Sequence, residues 1–219
     1  MLGQIFTSVM TGNLVLLGLD ASRSDWAPVG RIAGALLAYV LGAFIGARVA
    51  GSPNGLNASW PAPAIRALAV EWCLLMIFAV CWILLDAPTS AALDASLLAM
   101  NSCALGIQGS AVLRLGVPGL STTYLTGTLL GVVAGLATGH RIPGFRRSVL
   151  VLIAITLGAA VGGLLAAHLR RVAPLGQLTM LAIVVVVAWR NGHNVRQADS
   201  AMQAEGRRDG TSIDPEHRA

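Results

Sequence analysis

The sequence predicts an all-α fold, a polytopic helical membrane bundle with an internal repeat of two similar halves. Three observations carry this: too little charge for a wetted surface, charge-poor runs of membrane length, and a string that recurs half a chain later. Of 219 residues, 55% are hydrophobic and 11% charged, with a mean hydropathy of +0.72. A soluble domain carries about 25% charged residues. Ten charged side chains fall in residues 190–219, leaving 15 for the first 189. That excludes an ordinary globular domain and a disordered chain. The net charge is +5, but all fifteen basic residues are arginines scattered in ones and twos. Without a basic stripe and aromatic partners, no nucleic-acid surface is expected.

A helix needs about 20 mostly apolar residues to cross the hydrocarbon layer. Seven segments qualify or nearly do: Leu2–Leu19, Ile32–Ala50, Ala67–Leu85, Ala91–Leu113, Leu120–Thr138, Val149–Leu169 and Pro174–Trp189. Turn and interface residues separate them, among them Asp25-Trp26, Ser52-Pro53-Asn54-Gly55, Gly116-Val117-Pro118-Gly119 and Arg141 to Arg147. These runs are too apolar for alternating barrel strands. No Lys or Arg precedes the first run and no small-x-small site follows it, so it reads as a membrane segment, not a secretory signal. Residues 1–190 thus form a multi-spanning domain, with halves of roughly 1–90 and 91–190. Residues 191–219 form a polar tail without apolar period, expected to be disordered. With seven crossings, ten arginines including the tail's five fall on one side and five on the other. The richer side is expected to be cytoplasmic, which places the C-terminus inside.

The repeat is read from TSVMTGNLVLL at Thr7–Leu17 and TTYLTGTLLGV at Thr122–Val132, offset by 115 positions. LGAFIGA at Leu41–Ala47 then answers LGAAVGG at Leu157–Gly163, offset by 116. Repeats of this kind typically build two halves around a central site. Parity sets the symmetry. If segments one and five both cross, the repeat is parallel; if both are broken or re-entrant, three crossings separate them and it is inverted.

Polar groups inside a membrane are costly, so their placement is informative. Segments one and five open with hydroxyl-rich stretches followed by Thr-Gly. Thr11, Asn13, Thr126 and Thr128 are the candidate solute-binding groups there; helix–helix contact by small hydroxyl residues is the competing reading. In segment four Asp94, Asn101 and Gln108 recur every seven residues on one face. Asn101 and Gln108 are expected to line the same cavity. Asp94 and Glu71 are the two acids available for ion or proton coupling. Asp94, near the end of its span, reads equally as interfacial; Glu71 reads as interfacial beside Trp72 or, if buried, as protonated or paired with Arg66 or Arg48. The glycines of Gly127, Gly131, Gly135 and Gly139, and the pairs Gly42/Gly46 and Gly158/Gly162, are expected to seat close helix crossings.

Cys73, Cys81 and Cys103 are odd in number, lie inside expected spans and match no metal spacing. His140, His168, His193 and His217 fall at helix ends or in the tail, none with a second ligand at helical spacing. No Ser-His-Asp set, HExxH, P-loop or GxGxxG is present. No enzyme, cofactor or metal is therefore expected.

TSVMTGNLVLLGL at Thr7–Leu19, LGAFIGARV at Leu41–Val49 and RLGVPGLSTTYLTGTL at Arg114–Leu129 resemble the YoaK-like family of bacterial inner-membrane proteins, a family of unknown function. The similarity runs over nearly all of residues 1–190. It implies a multi-pass protein of the cytoplasmic membrane and brings no substrate, reaction or catalytic residue. Members usually carry a further helical stretch before the MTGN segment, which would make eight crossings with both ends inside. Two functions are expected to compete. One is a permease or secondary transporter for an unknown small-molecule ligand, bound between the repeat halves. The other is a non-transporting scaffold, sensor or subunit of a membrane complex. The lipid bilayer is the partner in both, and a homo-oligomer is compatible with either.

Overall fold

The computed structural model describes residues 5–7, 9–51, 62–85, 90–114, 125–139 and 144–190. Seven helices follow one another: α1 (Met10–Ser22), α2 (Trp26–Ala50), α3 (Ala62–Leu84), α4 (Ala91–Arg114), α5 (Leu125–Thr138), α6 (Phe145–His168) and α7 (Ala173–Arg190). No strand occurs among the described residues. Five helices, α2, α3, α4, α6 and α7, are long and apolar enough to cross a membrane. The polar tail and the proposed turns at 52–61 and 115–124 lie outside the described residues.

The centre of the bundle is the pair α2 and α4, which run parallel with their backbones in contact. A Cβ built on Gly42 would collide with the Cys103 carbonyl, and one on Gly106 with the Tyr39 carbonyl. At Gly46 it would stand 2.8 Å from the Ile107 Cα. Only glycine admits such an approach, and the carbonyls so exposed attract donors: Ser110 Oγ–H donates to the Ala43 carbonyl at 2.7 Å. Leu75, Ala79, Ala104, Ile107, Leu178 and Leu181 close the core with α3 and α7 around this seam.

Among the described residues, segments one and five form helices shorter than a full span. The first was expected over Leu2–Leu19, yet the helix begins only at Met10 and has 13 residues; α5 has 14. At 1.5 Å per residue these reach about 20 Å, against about 30 Å of hydrocarbon. One hydrogen bond fixes the path of α5. Trp82 lies near the end of α3, and Arg170 in the turn between α6 and α7; the indole Nε1–H donates to the Arg170 carbonyl at 2.9 Å. The two therefore share one membrane face. Between them the chain runs through α4, α5 and α6, and returning to the same face takes an even number of crossings. The helices α4 and α6, 24 residues each, supply two. The count is even if only the five long helices cross, α5 then returning to the face it starts from.

The glycine expectation divides. Gly42 and Gly46 seat a helix crossing, whereas a Cβ on Gly127, Gly131, Gly158 or Gly162 would meet nothing within 4 Å. Helix α6 has no buried residue at all. Its glycines and most of those on α5 face outward, because α5 packs on α6 and no core element covers their far sides.

Candidate functional site

A largely apolar recess with a few polar groups opens where α3, α4 and the α6–α7 corner meet. It holds about 200 Å³ and is lined by Phe78, Trp82, Asn101, Ala166, Arg170, Ala173, Pro174 and Gln177. Each wall follows from local sequence. Phe78 and Trp82 are four apart on α3, so their rings stack on one face, with centroids 5.9 Å apart at a tilt of 37°. The α6–α7 turn places Arg170 at the mouth, its guanidinium carbon 6.0 Å from the Trp82 ring centroid. Deeper in, Gln177 Nε2–H donates to Asn101 Oδ1 at 3.4 Å. That long bond joins two amides from helices 76 positions apart and leaves further donors and acceptors of both for a solute.

Of the residues singled out in the sequence, Asn101 alone lines this recess. Gln108, two turns along the same face of α4, is half-buried. Asp94 sits half-buried in the first turn of α4, where a helix N-terminus suits an acid. Thr11 and Thr126 are exposed and Thr128 is half-buried; none of them lines the recess. Asn13 is completely buried but occupied. Its Oδ1 accepts from the Phe6 N–H at 3.0 Å, and its Nδ2–H donates to the Phe6 carbonyl at 2.6 Å. It clasps the non-helical entry strand to α1, a structural duty that satisfies backbone groups water cannot reach. Arg170 entered the sequence reading only as a charge to be counted, and Gln177 did not enter it. The signal was available for Gln177, the one amide in segment seven.

Glu71 lies in the interior of the bundle. Helix α3 begins at Ala62, five residues before the expected start, so Glu71 is the tenth of 23 residues, close to the middle of the helix. Glu71 is 0% exposed, and neither carboxyl oxygen has a hydrogen-bond partner among the described residues. Ser102 Oγ on α4 is likewise buried without one. No group of three or more His, Cys, Asp or Glu suited to a metal occurs among the described residues.

The comparisons agree with this picture of a helical membrane protein. The chain is 35% identical over 136 residues to the UPF0700 transmembrane protein YoaK of Bacillus subtilis (strain 168), which covers 62% of this chain and 58% of that protein. No solved structure matches. The model of the family described as "Protein of unknown function (DUF1275)" matches residues 1–188, and the chain belongs to that family of multi-pass membrane proteins.

Proposed function

We propose that the protein is a small-molecule permease whose solute site is the recess formed by Phe78, Trp82, Asn101, Arg170 and Gln177, and that its solutes are small organic carboxylates with a planar apolar body. The observation that carries this is convergence. A cation, two amides and two aromatic rings from α3, α4, α7 and the α6–α7 turn meet in one hollow of a lipid-embedded bundle. A guanidinium pairs with a carboxylate in a fixed fork, and aromatic walls take up a flat body. The five-crossing path supports the reading further. It leaves α1 and α5 as matched half-length helices, each folding into a long one, which is the arrangement an inverted repeat would have. It also redistributes the arginines. Eleven of the fifteen, with the tail, fall on one side, and Arg23, Arg31, Arg170 and Arg171 on the other. Positive residues favour the cytoplasm, so the tail lies inside the bacterial inner membrane and the recess opens outward.

Thermal shift and equilibrium binding on purified protein, with benzoate and a panel of aliphatic carboxylates, test the site. Benzoate is expected to bind, and Arg170→Gln and Asn101→Ala to weaken it about tenfold each, near 1.4 kcal/mol. Absence of binding across the panel, or binding indifferent to Arg170→Gln, overturns the assignment. Uptake of the bound carboxylate into proteoliposomes separates a permease from a sensor that merely binds it.

A further inference from the structure

Glu71 has a burial and a depth that packing alone does not require. Its neighbours on the same face of α3, Ala67, Leu68 and Leu75, all belong to the apolar core, with Ala104 and Ile107 of α4 and Leu178 and Leu181 of α7 in the same cluster. A residue of leucine's size would fill the place at no polar cost. An ionised carboxylate at this depth needs a counter-charge or a set of donors. The titratable and charged groups of the surrounding elements supply neither. On α3 these are Arg66 and Cys73, both exposed, and Cys81, ten residues away. Helix α2 brings Arg31, Tyr39 and Arg48, the last exposed and lying over Phe44 at 4.7 Å. Helix α4 brings Asp94, Cys103 and Arg114, and α7 none between Ala173 and Trp189. No hydrogen bond from any of these reaches the Glu71 carboxyl. The carboxyl thus sits where a neutral acid costs far less than a carboxylate.

Its position relative to the recess gives the proton a use. Phe78, which forms the wall of the recess, is seven residues from Glu71 on the same face of α3, about 10 Å along the axis. We infer that Glu71 is a proton-binding site at the middle of the membrane, and that its occupancy is coupled to a carboxylate in the recess above it. The inference rests on the permease reading for its coupling half alone. The only bond made or broken is the O–H of Glu71. A proton taken from the outer solution travels with the anion, so that one positive and one negative charge cross together, and it leaves on the other side when Glu71 ionises in a wetted conformation. An acid and a solute site that gate one another must share a bistable element. Here α3 carries both Glu71 and the aromatic wall.

Infrared difference spectroscopy of the full chain in lipid, with and without benzoate, tests both halves. A deuterium-sensitive C=O stretch of a protonated carboxyl is expected in the wild type at neutral pH and lost in Glu71→Gln. The amide mimics the neutral acid, so Glu71→Gln is expected to keep the wild-type melting temperature. A band that is absent, or that survives the substitution, overturns the proton site whatever becomes of the solute reading. Benzoate is expected to shift or bleach the Glu71 band. Benzoate that binds and leaves the band untouched overturns the coupling. Benzoate and the other carboxylates failing to bind, with the Glu71 band present, overturns the permease reading and the coupling while the proton site stands.

Discussion

Helices α2 and α6 carry nearly the same string, LGAFIG at Leu41–Gly46 and LGAAVG at Leu157–Gly162, and the fold puts them to opposite uses. In α2 the two glycines bring the backbone against α4 so closely that no side chain fits between. In α6 the same two glycines open onto empty space, and the helix buries nothing. A pair of small residues four apart is thus a permission for close approach. What decides its use is whether a second helix is delivered to that face. Helix α4 reaches α2 through the adjacent α3 hairpin; no described element is delivered to the glycine face of α6.

Substitutions can break this comparison or sharpen it. The largest effect is expected for Gly42→Leu, which must displace the α4 backbone at Cys103; about 3 kcal/mol of destabilisation should appear as a lower melting temperature in detergent. An unchanged melt would mean that the seam is not under selection for closeness, and the contrast between the helices would collapse. Next comes Asn13→Ala, at about 1.5 kcal/mol, since it strands the part-buried backbone N–H and C=O of Phe6. The matching change in the other half, Thr128→Ala, should cost less, because a hydroxyl carries one donor hydrogen where an amide carries two, and its single oxygen must serve as both donor and acceptor. Equal losses would argue that the two openings are built alike. Ser110→Ala removes one interhelical bond at the seam and should cost about 0.6 kcal/mol. Smallest of all, Gly158→Leu and Gly131→Leu should stay within about 0.5 kcal/mol of wild type in the monomer, read by the same melts. A large loss there would reveal a helix seated on α6.

Most of the fold could be read from the sequence because the bilayer imposes a length and a polarity on every crossing. The five long helices follow the charge gaps closely, and the all-helical class follows from hydrogen-bond satisfaction in lipid. Less legible were the features that depend on a neighbour. The apolar count over Leu2–Leu19 cannot reveal that Phe6 is clasped back by Asn13 and that residues 5–7 are not helical. Identical glycine spacing cannot say which face will be covered. Glu71 read as interfacial because Arg66 looked like the end of a span, whereas the helix continues past it to Ala62 with the arginine side chain exposed. The recess was half visible. Asn101 stood out as an amide on an apolar helix; Gln177 met the same criterion, and only the tertiary packing of α4 on α7 makes the two a pair.

The shortness of α1 has an electrostatic consequence. Its C-terminal end at Ser22 lies only a short turn from Trp26, where α2 enters the membrane, so Met10 stands about 20 Å inward from that face. Aligned peptide dipoles place roughly half a positive charge at such a terminus. In a full-length span that charge would sit in the headgroups and be screened. Here it lies in a medium of low permittivity, where its field decays slowly. The interior around Met10 therefore carries a positive bias that belongs to the backbone, and exchanging side chains within an intact helix would not remove it.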